Sequence, residues 1–175
     1  RQRQRARQQR EAEQRLGRQL RVVMVGAGDD LPTYQAQAKR LGLEGRVFFK
    51  PPMRAREAFA LARLAVVPSR AEAMPYIVLE TLGAGKPMIA TAVGGIPEIF
   101  APKSGLLLPP GDPDALAAAM ADAVATPDLT LARARALREE IAGRFTIAAM
   151  AGAIEDFYRM LLGRRRSDAP TTAPD

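Results

Sequence analysis

The chain has 175 residues, 47% of them apolar, which is enough for a folded domain with its own core and argues against a disordered polymer. It holds neither cysteine nor histidine, so disulfides, thiolate metal sites and imidazole bases or ligands are excluded within it, and a reducing, cytoplasmic setting is the simplest expectation. The net charge of +7 favours anionic partners, yet no apolar run approaches the roughly 20 residues of a spanning helix, and no secretory signal opens the chain.

Much of the charge lies at the ends. The opening Arg1-Gln2-Arg3-Gln4-Arg5-Ala6-Arg7-Gln8-Gln9-Arg10 is nearly devoid of apolar residues, and Arg164-Arg165-Arg166 stands near the other end. Either cluster suits phosphates or an anionic membrane surface, which would make the protein peripheral to the inner face of a membrane. A solvated helix or a frayed tail fits the same composition. No aromatic is interleaved with the arginines, so no nucleic-acid partner is expected.

Between the ends, short apolar runs alternate with helical patterns. Arg21–Gly26 reads as a buried strand closed by a glycine turn, and Pro32–Leu41 as a helix with Asp29 and Asp30 at its start. Val47–Phe49 is a second strand, Arg54–Arg63 a short helix, and Leu64–Val67 a third strand stopped by Pro68. Tyr76–Ala84 is a helix ended by Gly83 and Gly85, Pro87–Ala90 a fourth strand, and Ile96–Phe100 a short helix after Gly94-Gly95. Gly105–Leu108 reads as a fifth strand closed by Pro109-Pro110-Gly111, and Asp112 or Asp114 is placed to cap a helix running through Ala125. Leu129–Gly143 and Thr146–Leu162 read as extra C-terminal helices. The fold class is therefore α/β, a parallel sheet with helices on both faces.

Ligands of such sheets bind at the carboxyl ends of the strands, where helix N-termini offer free amides. The loops Gly26–Asp30, Lys50–Met53, Pro68–Pro75 and Thr91–Pro97 are expected to open on that one edge. The third holds Glu72, and Glu80 follows within the next helix. Ionised carboxylates accept hydrogen bonds from vicinal hydroxyls, and charged acceptors bind the more strongly, so this pair suits a site that grips sugars. An exposed helix position alone would also account for Glu80. Gly94 and Gly95 either form a tight turn only or approach the ligand. Gly26 and Gly28 do not complete a dinucleotide fingerprint, since Leu31 stands where its third glycine would fall. Glu98 reads as a helix-start charge and Lys86 as part of a surface turn.

The segments Val25-Gly26-Ala27-Gly28, Arg46-Val47-Phe48-Phe49, Val67-Pro68-Ser69-Arg70-Ala71-Glu72, Leu79-Glu80, Gly85-Lys86-Pro87-Met88-Ile89-Ala90-Thr91, Gly94-Gly95-Ile96-Pro97-Glu98 and Gly105–Asp112 occur in that order. In this they resemble the C-terminal, donor-binding half of the retaining group-1 (family four) glycosyltransferases of GT-B fold. The resemblance implies a Rossmann-like nucleotide-sugar-binding domain over 21–163, preceded by the Arg/Gln-rich segment 1–20 and followed by a disordered tail over 164–175. It implies a hexosyl-type glycosyltransferase that moves a sugar from a UDP-, GDP- or ADP-sugar to an acceptor hydroxyl, with no metal or other cofactor. On this resemblance Glu72, Met74, Pro75 and Tyr76 meet the donor sugar, while Glu80 binds the ribose. Gly26, Phe49, Lys50 and Ile77 join Glu80 at the nucleotide. Pro75 has no amide hydrogen, whereas the amides of Met74, Tyr76 and Ile77 are free to donate.

The chain departs from the family in three respects. It holds no N-terminal, acceptor-binding half, which the resemblance makes a partner required for activity. The place of the strand and helix that bring a basic pair to the phosphates is held by the Arg/Gln-rich opening, which does not read as a buried strand, so no residue is assigned to that task. Met74-Pro75-Tyr76 replaces a commoner Gly-Phe-Gly beside the donor sugar. A stand-alone, non-catalytic nucleotide-sugar-binding module and a basic-tailed interaction protein remain alternatives.

Overall fold

A computed structural model describes residues 20–167, with side chains through Leu162. The expectations for Arg1–Arg10, for the side chains of Arg164–Arg166 and for the tail beyond Ser167 lie outside the described residues. The chain forms two compact units, one reaching Arg138 and the other beginning at Glu139.

In the first unit β1 (Val22–Val25), α1 (Leu31–Arg40), β2 (Val47–Lys50), α2 (Ala55–Ala60), β3 (Ala65–Val67), α3 (Tyr76–Gly83), β4 (Met88–Ala90), α4 (Ile96–Phe100) and α5 (Pro113–Ala125) alternate as the sequence predicts. α6 (Pro127–Ile141) follows, and α7 (Ile147–Ser167) belongs to the second unit. Valine-rich runs form the strands because branched side chains fit a pleated surface. Pro at the first turn favours α1, α4, α5 and α6, where the missing amide hydrogen costs nothing. Asp112, not Asp114, caps α5: its side chain accepts from the Ala115 amide at 2.9 Å. Asp30 occupies the cap position of α1 without a side-chain cap bond.

The strands pair in parallel, β1 with β2 and β3 with β4, in the registers Val22–Val47 to Val25–Lys50 and Ala65–Met88 to Val67–Ala90. Among the described residues the parallel sheet is thus in two pieces, since no ladder joins one pair to the other. The expected fifth strand over Gly105–Leu108 is corrected. Ser104–Leu106 is a 3-10 turn, and only Leu108 bridges to Thr91 in parallel. The turn spends the amides of Leu106 and Leu107 on Lys103 and Ser104, so they are not available for a ladder.

The buried core lies behind the second pair. α3 turns in Val78, Thr81 and Leu82, α4 turns in Ile96, Ile99 and Phe100, and β4 contributes Ala90. The spacing i, i+3, i+4 on both helices is the stripe of an amphipathic helix. The Thr81 hydroxyl is satisfied by the Ile77 carbonyl at 2.5 Å. β1 is less buried than its apolar run predicts: Val22 and Val23 are half-buried, while Met24 and Val25 are exposed. A parallel strand is buried on both faces only where helices cover the sheet on both sides, and among the described residues β1 pairs with β2 alone in a two-stranded piece.

In the second unit α7 carries an exposed ion-pair fork, with Arg159 on Glu155 at 2.6 Å and Asp156 at 3.1 Å. Among the described residues no single helix is long and apolar enough to cross a membrane.

Candidate functional site

Parallel pairing brings the loops after β1 and β2 to one edge, and those after β3 and β4 to one edge. Around the first pair, Gly26 donates its amide to the Lys50 carbonyl at 3.1 Å, and Met24 stands opposite Phe49. The structure therefore brings Gly26, Phe49 and Lys50 together. A pocket of about 320 Å³ opens here between the ends of the strands and the start of α1. Gly26 and Phe49 line it with Met24, Val25, Leu31 and Tyr34, and Asp29 and Asp30 stand at the helix start. Its walls are largely apolar and its polar groups are few, the composition of a small-molecule pocket. Lys50 is exposed and does not line it.

Around the second pair, Pro68 ends β3 and the chain turns through Ser69–Pro75 into α3. Glu72 is half-buried in this loop, and the Ser69 hydroxyl donates to its Oε1 at 2.6 Å. Pro75 is buried and takes the cap position of α3 with an extended backbone. Its carbonyl accepts from Val78, and its ring makes no demand for a donor partner. Tyr76 is 79% exposed, Ile77 and Met74 are each 39% exposed, and the amides of Tyr76 and Ile77 belong to the open first turn of α3. Glu80 is exposed and makes no ion pair among the described residues.

The loop after β4 locks onto this one. Gly95 donates its amide to the Ala73 carbonyl at 2.7 Å, and the Thr91 hydroxyl donates to the Ser69 carbonyl at 2.6 Å. A Cβ at Gly95 would lie 2.7 Å from the Ala73 carbonyl oxygen and 3.0 Å from the Met74 methyl carbon. Glycine is therefore required at Gly95 by close approach to the Ala73 carbonyl of the neighbouring loop.

Two contributors were not assigned from sequence, Ser69 and Thr91. The signal for Ser69 was a hydroxyl three positions before a loop carboxylate, a spacing that permits a local side-chain bond. For Thr91 there was only its place just past a strand's carboxyl end. Lys86 is half-buried, not simply on a surface turn: its ammonium donates to the Phe59 carbonyl near the end of α2, and burial holds its pKa below the usual lysine value. Arg21 precedes β1, at the end of that strand remote from the loop, with its guanidinium 4.9 Å from the Phe48 ring centre. Among the described residues no three of His, Cys, Asp and Glu converge as metal ligands.

Parallel strands whose following loops gather at a carboxyl edge, with a carboxylate fixed beside a helix start, give the α/β arrangement in which ligands of such folds are held at the strand ends. Residues 5–126 match the family model described as glycosyl transferases group 1, and the chain belongs to that family. It is 32% identical over 166 residues to a D-inositol 3-phosphate glycosyltransferase of Corynebacterium glutamicum, covering 88% of this chain and 38% of the relative. The same name and identity apply to a relative from Corynebacterium jeikeium over 152 residues, with 82% and 36% covered. The chain thus spans little more than a third of these curated relatives. Among solved structures, sucrose-phosphate synthase from Thermosynechococcus elongatus superposes with a TM-score of 0.69 at 27% identity, over 81% of this chain and 38% of that one. A lipopolysaccharide outer core galactosyltransferase shares the fold at a TM-score of 0.56 and 21% identity, over 82% of this chain and 41% of that one. The fold is that of GT-B glycosyltransferases.

Proposed function

We propose that this chain is the donor-binding half of a retaining glycosyltransferase that takes a nucleoside-diphosphate sugar and works with an acceptor-binding half elsewhere in the complete enzyme. The observation that carries this reading is Glu72, braced by Ser69 beside the start of α3 in a chain of this family. Glu72 accepts from hydroxyls of the donor sugar, next to Met74, Pro75 and Tyr76. Glu80, one helix turn and more along α3, accepts from the ribose. The pocket holding Gly26 and Phe49 receives the base, with Lys50 and Ile77 at the nucleotide's margins.

The chemistry is displacement at the anomeric carbon. Its bond to the diphosphate oxygen breaks, the diphosphate leaves with the bonding pair, a bond forms to the acceptor oxygen on the same face, and the proton of the acceptor hydroxyl passes to the departing diphosphate. The free amides at the start of α3 are placed to stabilise charge gathering on the leaving group, since the positive end of the helix dipole lies there. Glu72 and Glu80 orient the two ends of the donor, which converts binding energy into alignment.

Calorimetry with UDP, GDP and ADP and with their glucose or mannose forms tests the reading. At least one pair is expected to bind. Glu80→Ala should weaken both members of the pair, and Glu72→Ala should weaken mainly the sugar form. A hydrogen bond to a charged group supports a loss of about ten-fold or more in each case. Wild-type chain that binds none of the probes, or variants that bind as the wild type does, would overturn the assignment.

A further inference from the structure

We infer that Ser69 and Thr91 are positioning residues that set how well the chain distinguishes a sugar nucleotide from the bare nucleotide. The inference rests on the reading of Glu72 as the sugar's acceptor and deepens it, because it names what holds that carboxylate ready.

Thr91 is the fixed point. It is 5% exposed, its amide donates to the Val67 carbonyl at 3.3 Å, and it bridges to Leu108 on the other side. Its backbone is thus tied to β3 and to the segment beyond β4 at once. Its hydroxyl carries a single proton, and that proton is committed to the Ser69 carbonyl at 2.6 Å. This ties the Ser69 backbone to Thr91. The Ser69 hydroxyl in turn commits its proton to Oε1 of Glu72, also at 2.6 Å. Oε2 takes no donor among the described residues and keeps its acceptor capacity.

A glutamate in a loop ordinarily samples several rotamers and pays an entropic cost when a ligand selects one. Here the choice is made before the ligand arrives. One oxygen is held, and the other is presented to a hydroxyl pair. Such pre-organisation favours the ligand that uses the carboxylate, the sugar form, and leaves the bare nucleotide unaffected.

The test is calorimetry on this chain with UDP, UDP-glucose, GDP and GDP-mannose. The variants are Ser69→Ala, Ser69→Thr, Thr91→Val, Thr91→Ser, Glu72→Ala and the double variant Ser69→Ala/Glu72→Ala. Ser69→Ala is expected to lower the affinity of the sugar form roughly three- to ten-fold with the bare nucleotide unchanged, the range that one freed side chain supports. Ser69→Thr should restore the ratio, since it keeps the hydroxyl. Thr91→Val should shift the ratio in the same direction, and Thr91→Ser should not. Ser69→Ala should add nothing once Glu72 is already alanine.

An equal loss for both ligands, an unchanged ratio in Ser69→Ala, or a further loss in the double variant overturns the inference and leaves the donor reading standing. If Thr91→Val does not fold, the Ser69 series decides by itself. A wild-type chain that binds none of these four probes and neither ADP nor ADP-glucose, or gains nothing from the sugar, overturns the donor reading and this inference with it.

Discussion

An alanine Cβ at Gly94 would fall 1.8 Å from the carbonyl oxygen of Glu72 and 2.6 Å from its carbonyl carbon. Both are backbone atoms, so no side-chain rotation can relieve the overlap. Gly94 also holds φ at +52°, a conformation that L side chains rarely adopt. The loop after β4 can therefore press on the Glu72 loop only because this position has no side chain.

Gly94→Ala is expected to destabilise the chain by about 2 kcal/mol or more, the combined result of left-handed strain and overpacking. It should also erode discrimination for the sugar, because the Glu72 backbone must shift. Gly105, with open space around it, is the control: Gly105→Ala should stay within about 0.5 kcal/mol of the parent. Urea unfolding of both variants measures the contrast, and two equal midpoints would refute the role given to Gly94.

Glu80 separates binding from stability. On α3 it stands two positions from Val78, roughly 200° around the helix, and so faces away from the core. Glu80→Gln should leave the unfolding midpoint within about 0.5 kcal/mol of the parent. The same variant should lose about ten-fold in nucleotide affinity, because the charged acceptor becomes a neutral amide. A stability loss without a binding loss would make Glu80 structural.

Leu82 marks the packed centre at 2% exposure. Leu82→Ala should cost about 2–5 kcal/mol, through lost transfer energy and the cavity left behind. Asp112→Ala removes the cap on the Ala115 amide and should cost less, about 1 kcal/mol. Thermal or urea unfolding ranks the two, and the reverse order would place the core elsewhere.

Lys86 gives stability a pH signature. Its pKa is lowered by burial in the folded chain, so between that value and the ordinary 10.5 the unfolded chain binds more protons than the folded one. Stability from this group therefore rises with pH across that window and is lost as pH falls through the folded pKa. Lys86→Met should flatten this contribution. Urea titrations from about pH 8 to about pH 11 should show the parent gaining on the variant as pH rises. A difference that stays constant with pH would count against it.

Legible in the pattern of the chain alone were the order of the four strands and of the helices, Asp112 and Asp114 as cap candidates, and the motif that carries Glu72 and Glu80. These are local matters of periodicity, turn chemistry and cap placement, decided within one or two turns of chain. Tertiary structure decided the rest. Whether Gly105–Leu108 forms a strand depended on which carbonyls its amides could reach, and whether β1 is buried depended on what lies beside it. The tie between Thr91 and Ser69, 22 positions apart, joins loops that only the parallel pairing of β3 and β4 brings together. Pattern specifies which residues seek burial or a turn; only the folded backbone brings a glycine from one loop against a carbonyl of another, because contact across sequence is a property of distance, and distance is settled by packing.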